Sequence, residues 1–169
     1  MASTELADPY DAHAQALFAF LLNFTRNEAD ARDVLQEVFA KLTRQAGGLQ
    51  GIREMRPFLL RLAHNLAVDS GRRRQTRDKY HLAAGLECVE LFAPPVDADE
   101  EAFRAALSVA LGELPAEQRA VVHLKLWEGL TFDQIAVALC IPLNTAASRY
   151  RYGLDKLRER LRPLYEEIK

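Results

Sequence analysis

The chain has 169 residues, enough for one domain or two small ones, and a formal net charge of −2, which does not by itself suggest a nucleic-acid partner. The charge is unevenly spread: residues 10–81 carry +4, residues 82–117 carry −7 and residues 118–169 carry +3, so two basic blocks flank an acidic connector. No apolar run is long enough to cross a bilayer and no secretory signal stands at the N-terminus; together with two cysteines, Cys88 and Cys140, in no spacing motif, this leads us to expect a soluble cytoplasmic protein without membrane insertion.

Tyr10, Ala14, Leu17, Phe18, Leu21 and Phe24 recur at helical spacing and predict a helix from Pro9 to Thr25 with one apolar face. Residues 27–30 resemble a turn into a second helix, whose core stripe is Ala31, Val34, Leu35, Val38, Phe39 and Leu42. Asp33, Gln36, Glu37 and Lys41 share its opposite side. Gly47, Gly48 and Gly51 mark a loop. Pro57 then starts a long helix with Leu59, Leu62, Ala63, Leu66 and Ala67 inward, Arg61, Asn65 and Asp69 outward, and the run Arg72, Arg73, Arg74 behind them. Residues 82–100, with Pro94, Pro95 and many acids, read as a linker, and Glu101 to Gly112 as the next helix.

The segment from Leu114 to Leu161 reads as a helix-turn-helix with its lead-in helix. Pro115 opens a helix with Val121, Val122, Leu124 and Leu126 as apolar members, and Gly129 ends it. Thr131 and Gln134 have the spacing of a capping box for a short helix that buries Phe132, Ile135, Ala136 and Leu139. Pro142 forces a turn, and Asn144 is placed to cap a last helix whose core face is Ala146, Tyr150, Gly153, Leu154, Leu157 and Leu161. That face leaves Asn144, Thr145, Ser148, Arg151 and Tyr152 outward. A second helix with small polar and basic residues at its exposed start suits a DNA major groove, whereas a plain helical hairpin needs neither the cap-turn-cap spacing nor the basic start. The expected architecture is all-α: two small bundles, residues 1–81 and 101–169, joined by the acidic linker 82–100.

These runs carry a resemblance. Residues 30–39 (DARDVLQEVF) and 58–69 (FLLRLAHNLAVD), the latter followed by basic residues, look like region 2 of bacterial sigma-70-type factors. Leu114 with Pro115, residues 128–136 (EGLTFDQIA) and residues 144–149 (NTAASR) look like region 4. The compact two-domain layout resembles the extracytoplasmic-function (ECF) group. The resemblance implies a subunit that binds core RNA polymerase and directs it to promoter DNA, with an anti-sigma factor as a further partner the family admits. It places Asp33, Gln36 and Glu37 on the polymerase and Asn65, Asp69, Arg72 and Arg73 near the minus-ten element. It sets the loop at 46–51 where a flipped base is pocketed, and assigns Thr145, Ser148, Arg149 and Arg151 to the minus-thirty-five element. Ala147 and Tyr152 stand where relatives often carry basic residues, which lowers the local charge, and Phe58 stands for a frequent Trp. The acidic linker matches the segment that in the family threads the polymerase RNA-exit path.

Enzyme readings find little support. His13, His64, His81 and His123 are dispersed, and neither a metal-ligand spacing nor a nucleophile motif occurs, so no catalytic residue, metal or cofactor is expected. Two non-catalytic alternatives are a conventional dimeric helix-turn-helix regulator and a sigma-mimicking adaptor for an anti-sigma factor. The long acidic tether without heptads argues against the first, and the absence of room for a signalling domain argues against the second.

Overall fold

The computed structural model describes residues 4–45, 47–77 and 97–167. Within them the chain forms seven α-helices and, among the described residues, no strand. The helices are α1 (Thr4–Thr25), α2 (Glu28–Arg44), α3 (Met55–Arg77), α4 (Ala98–Glu113), α5 (Ala116–Leu126), α6 (Phe132–Leu139) and α7 (Leu143–Glu167), with a single 3-10 turn at Leu49–Gly51. Most of the connector, residues 82–96, lies outside the described residues.

Helix starts follow local chemistry. Asn27 caps α2 by accepting the Asp30 N–H at 3.0 Å, and Asp97 caps α4 by accepting the Glu100 N–H at 2.7 Å. Asp97 sits three residues before an acid, and this signal lets α4 begin at Ala98, ahead of the Glu101 start expected from the apolar pattern. In α3, Pro57 is the third residue rather than the first; its missing N–H falls among the four that a helix start leaves unpaired, so the helix can begin upstream of it. The capping box of α6 is formed as expected, with Thr131 and Gln134 each accepting from the other's backbone N–H. Asn144 does not cap α7. The Pro142 carbonyl accepts the Ala146 N–H at 3.0 Å, which makes Leu143 the first helical residue and Asn144 the second.

The N-terminal bundle is α1, α2 and α3, closed around Leu17, Leu21, Val34, Val38, Leu59 and Ala63, all of them buried. In the C-terminal bundle, α5, α6 and α7 make the helix-turn-helix, and α4 lies along α7. Gly153 lets α7 approach α5 closely: a Cβ there would lie 2.7 Å from Val122 Cγ2.

The two bundles do not stand apart. Helix α1 packs on α5 and α3 packs on α6, so a single apolar core runs from Phe20 and Leu60 to Val121, Leu124 and Ile135. This explains burial beyond the expected stripes. Phe20 and Asn23 occupy a second face of α1, directed at α5, and both are essentially fully buried. Helix α5 is covered on opposite sides by α1 and α7, so Val121 and Val122 are both inaccessible despite being adjacent. Leu126, expected inward, is 50% exposed because the helix ends there, beyond its covering neighbours.

Candidate nucleic-acid interface

The residues expected to face polymerase sit on the outer side of α2, opposite Ala31, Val34 and Val38. Asp33 and Gln36 are exposed and Glu37 is half-buried. Asp30, one turn before Asp33, is paired with Arg74 of α3, which ties this face to the basic run.

Helix α3 carries Asn65, Asp69, Arg72 and Arg73 on one rigid rod, all exposed. The helix continues to Arg77, so the arginine run is helical throughout rather than a tail behind a helix end. His64, beside Asn65, is half-buried and edge-on to Phe24 at 5.2 Å. Burial pushes its imidazole below the ordinary histidine range, a shift to which the charge of Arg149 adds.

In α7 the left-handed Cys140 (φ 53°) and Pro142 set the turn, so that α7 leaves α6 with its first residues outward. Arg151 is exposed, its guanidinium 5.1 Å from the ring centroid of the exposed Tyr152. Thr145 and Ser148 are half-buried, and the Ser148 hydroxyl donates to the Thr145 carbonyl at 3.1 Å. Arg149, which the resemblance assigned to the DNA, is only partly accessible. Its side chain is 27% exposed and lies 3.2 Å from the Glu117 carboxylate of α5.

Four of the eight DNA-facing candidates come together. Asn65, Asp69 and Arg72 of α3 and Arg149 of α7 line one cleft of about 850 Å³ between the bundles, along with His64 and Glu117. Arg73, Thr145, Ser148 and Arg151 lie outside it, as does the α2 face. A separate open hollow of about 600 Å³ lies at the glycine loop, lined by Arg44, Gly47, Gly48, Leu49, Ile52 and Phe58.

Sequence spacing did not single out the polar groups that join the bundles. Arg119 of α5 donates to the Phe24 carbonyl at 2.9 Å and to the Leu114 carbonyl at 2.9 Å, placing a guanidinium at the C-terminal ends of α1 and α4 together. Burial, with the charge of neighbouring Arg26, lowers its pKa to about 10, so it stays charged at neutral pH. His123, one turn on, accepts at Nδ1 from the Asn23 side-chain amide at 3.1 Å, and its Nε2 lies 3.6 Å from Glu128. Glu128 in turn accepts from Arg56 Nε at 2.8 Å. Burial opposes ionisation of Glu128, but His123 and the Arg56 charge outweigh it and hold the carboxyl below the ordinary glutamate range. The one signal in the sequence was the i, i+4 pair Arg119 and His123 in an otherwise apolar helix centre.

An all-helical pair of bundles, one carrying a helix-turn-helix and the other a basic helix, defines a class of DNA-directed transcription proteins. The family model of sigma-70 region 2 matches residues 9–77, and that of sigma-70 region 4 matches residues 110–159. The chain is 31% identical over 161 residues to the RNA polymerase sigma factor CarQ of Myxococcus xanthus, covering 95% of this chain and 91% of that protein. It is 30% identical over 156 residues to the ECF RNA polymerase sigma factor SigL of Mycobacterium tuberculosis, covering 92% and 88%. The chain belongs to the sigma-70 family, in its ECF group. Its fold is similar to that of the sigma factor RpoE in a co-crystal structure with the anti-sigma factor NepR from Bartonella quintana, with a TM-score of 0.71 over 94% of this chain and 97% of the other at 18% identity. Among the described residues no helix is long and apolar enough to cross a membrane, and no group of three or more potential metal ligands occurs.

Proposed function

We propose that this sigma factor binds core RNA polymerase through Asp33, Gln36 and Glu37 of α2 and brings it to promoters through two separate DNA-reading surfaces. The observation that carries this reading is the occurrence of both matched regions, in order, in one chain. The α2 acceptors form a cluster on a rigid helix, which suits a basic partner surface.

Asn65, Asp69, Arg72 and Arg73 of α3 act at the minus-ten element, where Asn and Arg hydrogen-bond unstacked bases and neutralise backbone charge. The hollow beside Gly47 and Gly48 has room for an unstacked base. Arg149 and Arg151, with Ser148 and Thr145, read the minus-thirty-five element as intact duplex from the major groove. An anti-sigma factor is a further partner in this reading, since the structural relative from Bartonella quintana was crystallised with one. The domains are residues 1–81 and 101–169 with the acidic connector between them, the protein works in the cytoplasm, and it has no catalytic role of its own.

The test is co-purification with core polymerase, with and without promoter DNA. Retention on core polymerase together with promoter-dependent initiation supports the reading. Failure to associate with core polymerase refutes it.

A further inference from the structure

The outer side of α7 is not uniformly polar. With Ala146, Gly153, Leu157 and Leu161 buried, the side opposite them carries Asn144, Ser148, Arg151, Tyr152 and Asp155. Tyr152 is the large apolar group among these, and it is 53% exposed.

Its neighbour is held against it. The Arg151 guanidinium lies over the Tyr152 ring, 5.1 Å from its centre. Asp155, one turn on, lies 3.7 Å from Arg158, and Glu117 holds Arg149, so no carboxylate among the described residues pairs with Arg151. The electron-rich face of the ring therefore steadies the guanidinium without neutralising it.

Position and reach suit base edges. Asn144 and Tyr152 lie ~12 Å apart along the helix axis at ~1.5 Å per residue, an extent that matches the ~12 Å width of the major groove. Two side-chain heads 5.1 Å apart fall on neighbouring base pairs, since the step between them is ~3.4 Å. Guanine offers two acceptors, N7 and O6, which a guanidinium meets with two parallel bonds. A phenol has one hydroxyl and cannot reproduce that pair of bonds. What its ring matches is the C5 methyl of thymine, the one methyl on the major-groove edges of the four bases.

We propose that Tyr152 is a specificity-determining residue that packs its ring on a thymine methyl of the upstream element, while Arg151, steadied by that ring, takes the guanine of the adjacent base pair. This rests on the reading of α7 as the duplex reader and names what it reads: a thymine next to a guanine, where a basic residue at position 152 would select a second guanine.

The test removes the methyl from the DNA and leaves the protein untouched. Holoenzyme assembled from the full chain and core polymerase selects from a pool of random duplexes, and the enriched upstream element is read by sequencing. It should hold a thymine beside a guanine. Uracil in place of that thymine should weaken holoenzyme binding about fourfold, the equivalent of the ~0.8 kcal/mol carried by one buried carbon. Tyr152→Phe should keep this uracil penalty and Tyr152→Ala should abolish it. Tyr152→Arg, selected on the same pool, should exchange that thymine for guanine and leave the other positions alone, whereas Arg151→Ala should relax only the neighbouring guanine. Uracil tolerated at every thymine of the element, or a penalty that survives in Tyr152→Ala, would overturn the proposal. Loss of the penalty in Tyr152→Phe would overturn it too, by putting the hydroxyl on a phosphate instead of the ring on a base. Association with core polymerase without any enriched upstream sequence would refute α7 as a duplex reader, and the proposal with it, while leaving polymerase docking intact. No association would sink the sigma-factor reading and the proposal together.

Discussion

Gly153 illustrates how much a single missing methyl can decide. Alanine there has the better helix propensity, but its Cβ would press on Val122 Cγ2 at 2.7 Å, and Val122 is wholly buried with nowhere to go. Gly153→Ala should therefore destabilise the C-terminal bundle by about 1–3 kcal/mol, measured by urea denaturation. Cys140 is the opposite case. Its φ of 53° is left-handed, a region costly for a side chain, and its exposed thiol makes only a long 3.8 Å hydrogen bond to the Val137 carbonyl. Cys140→Gly should raise stability by roughly 1 kcal/mol, the strain relieved less the backbone entropy glycine adds. His64 links residue chemistry to pH. Its folded pKa is depressed, so the stability it protects is present above the unfolded value and is lost as pH falls below about 6.5. Glu128, also depressed, adds a further loss as pH falls through the carboxylate range. The melting temperature should fall between pH 7 and pH 5, and His64→Gln should flatten that slope; an unchanged slope would mean that His64 protonates freely in the folded protein.

At the scale of helices, each proposed surface has its own signature. Asp33, Gln36 and Glu37 lie opposite the buried stripe of α2, so the triple alanine variant should keep its helical circular dichroism and lose polymerase association. Holoenzyme assembly at wild-type affinity would show that another face docks. On α7, Arg149→Ala or Arg151→Ala should weaken use of the upstream element by about 1–3 kcal/mol if the side chain makes a bidentate base contact. A phosphate-bound arginine would instead weaken all sequences alike and lower the salt slope by about one unit. Asn65→Ala and Arg73→Ala on α3 should act later, at strand opening. Permanganate reactivity of unpaired thymines, measured beside gel-shift affinity, separates the two stages: normal opening by the α3 variants would remove that helix from the melted strand.

For the molecule as a whole, the free protein should bind promoter DNA weakly and core polymerase well. A net charge of −2 gives little long-range attraction to DNA, and Arg149, paired with Glu117, lines the same cleft as Arg72. What binding remains should fall steeply with salt, because phosphate contacts supply it. Tight, salt-resistant promoter binding by the free chain would contradict both the charge argument and the pairing of Arg149.

The sequence by itself determined the helical class, the stripes of α2, α3 and α6, the capping box at Thr131 and Gln134, and the outward faces of α2 and α3, because periodicity and caps act within a few residues. Family membership was also legible, in short runs from two regions in the right order. Helix starts were less so: α3, α4 and α7 begin where backbone hydrogen bonds can be placed, at positions the apolar pattern does not mark. Only the tertiary structure decided that α1 has a second buried face, that Leu126 is outside, that Arg149 is paired with Glu117, and that Arg119, His123 and Glu128 form a seam. Each depends on residues such as Asn23 and His123, one hundred positions apart, meeting across an interface. A pattern read along one helix reports that a face is apolar or polar. It does not report which other helix covers that face.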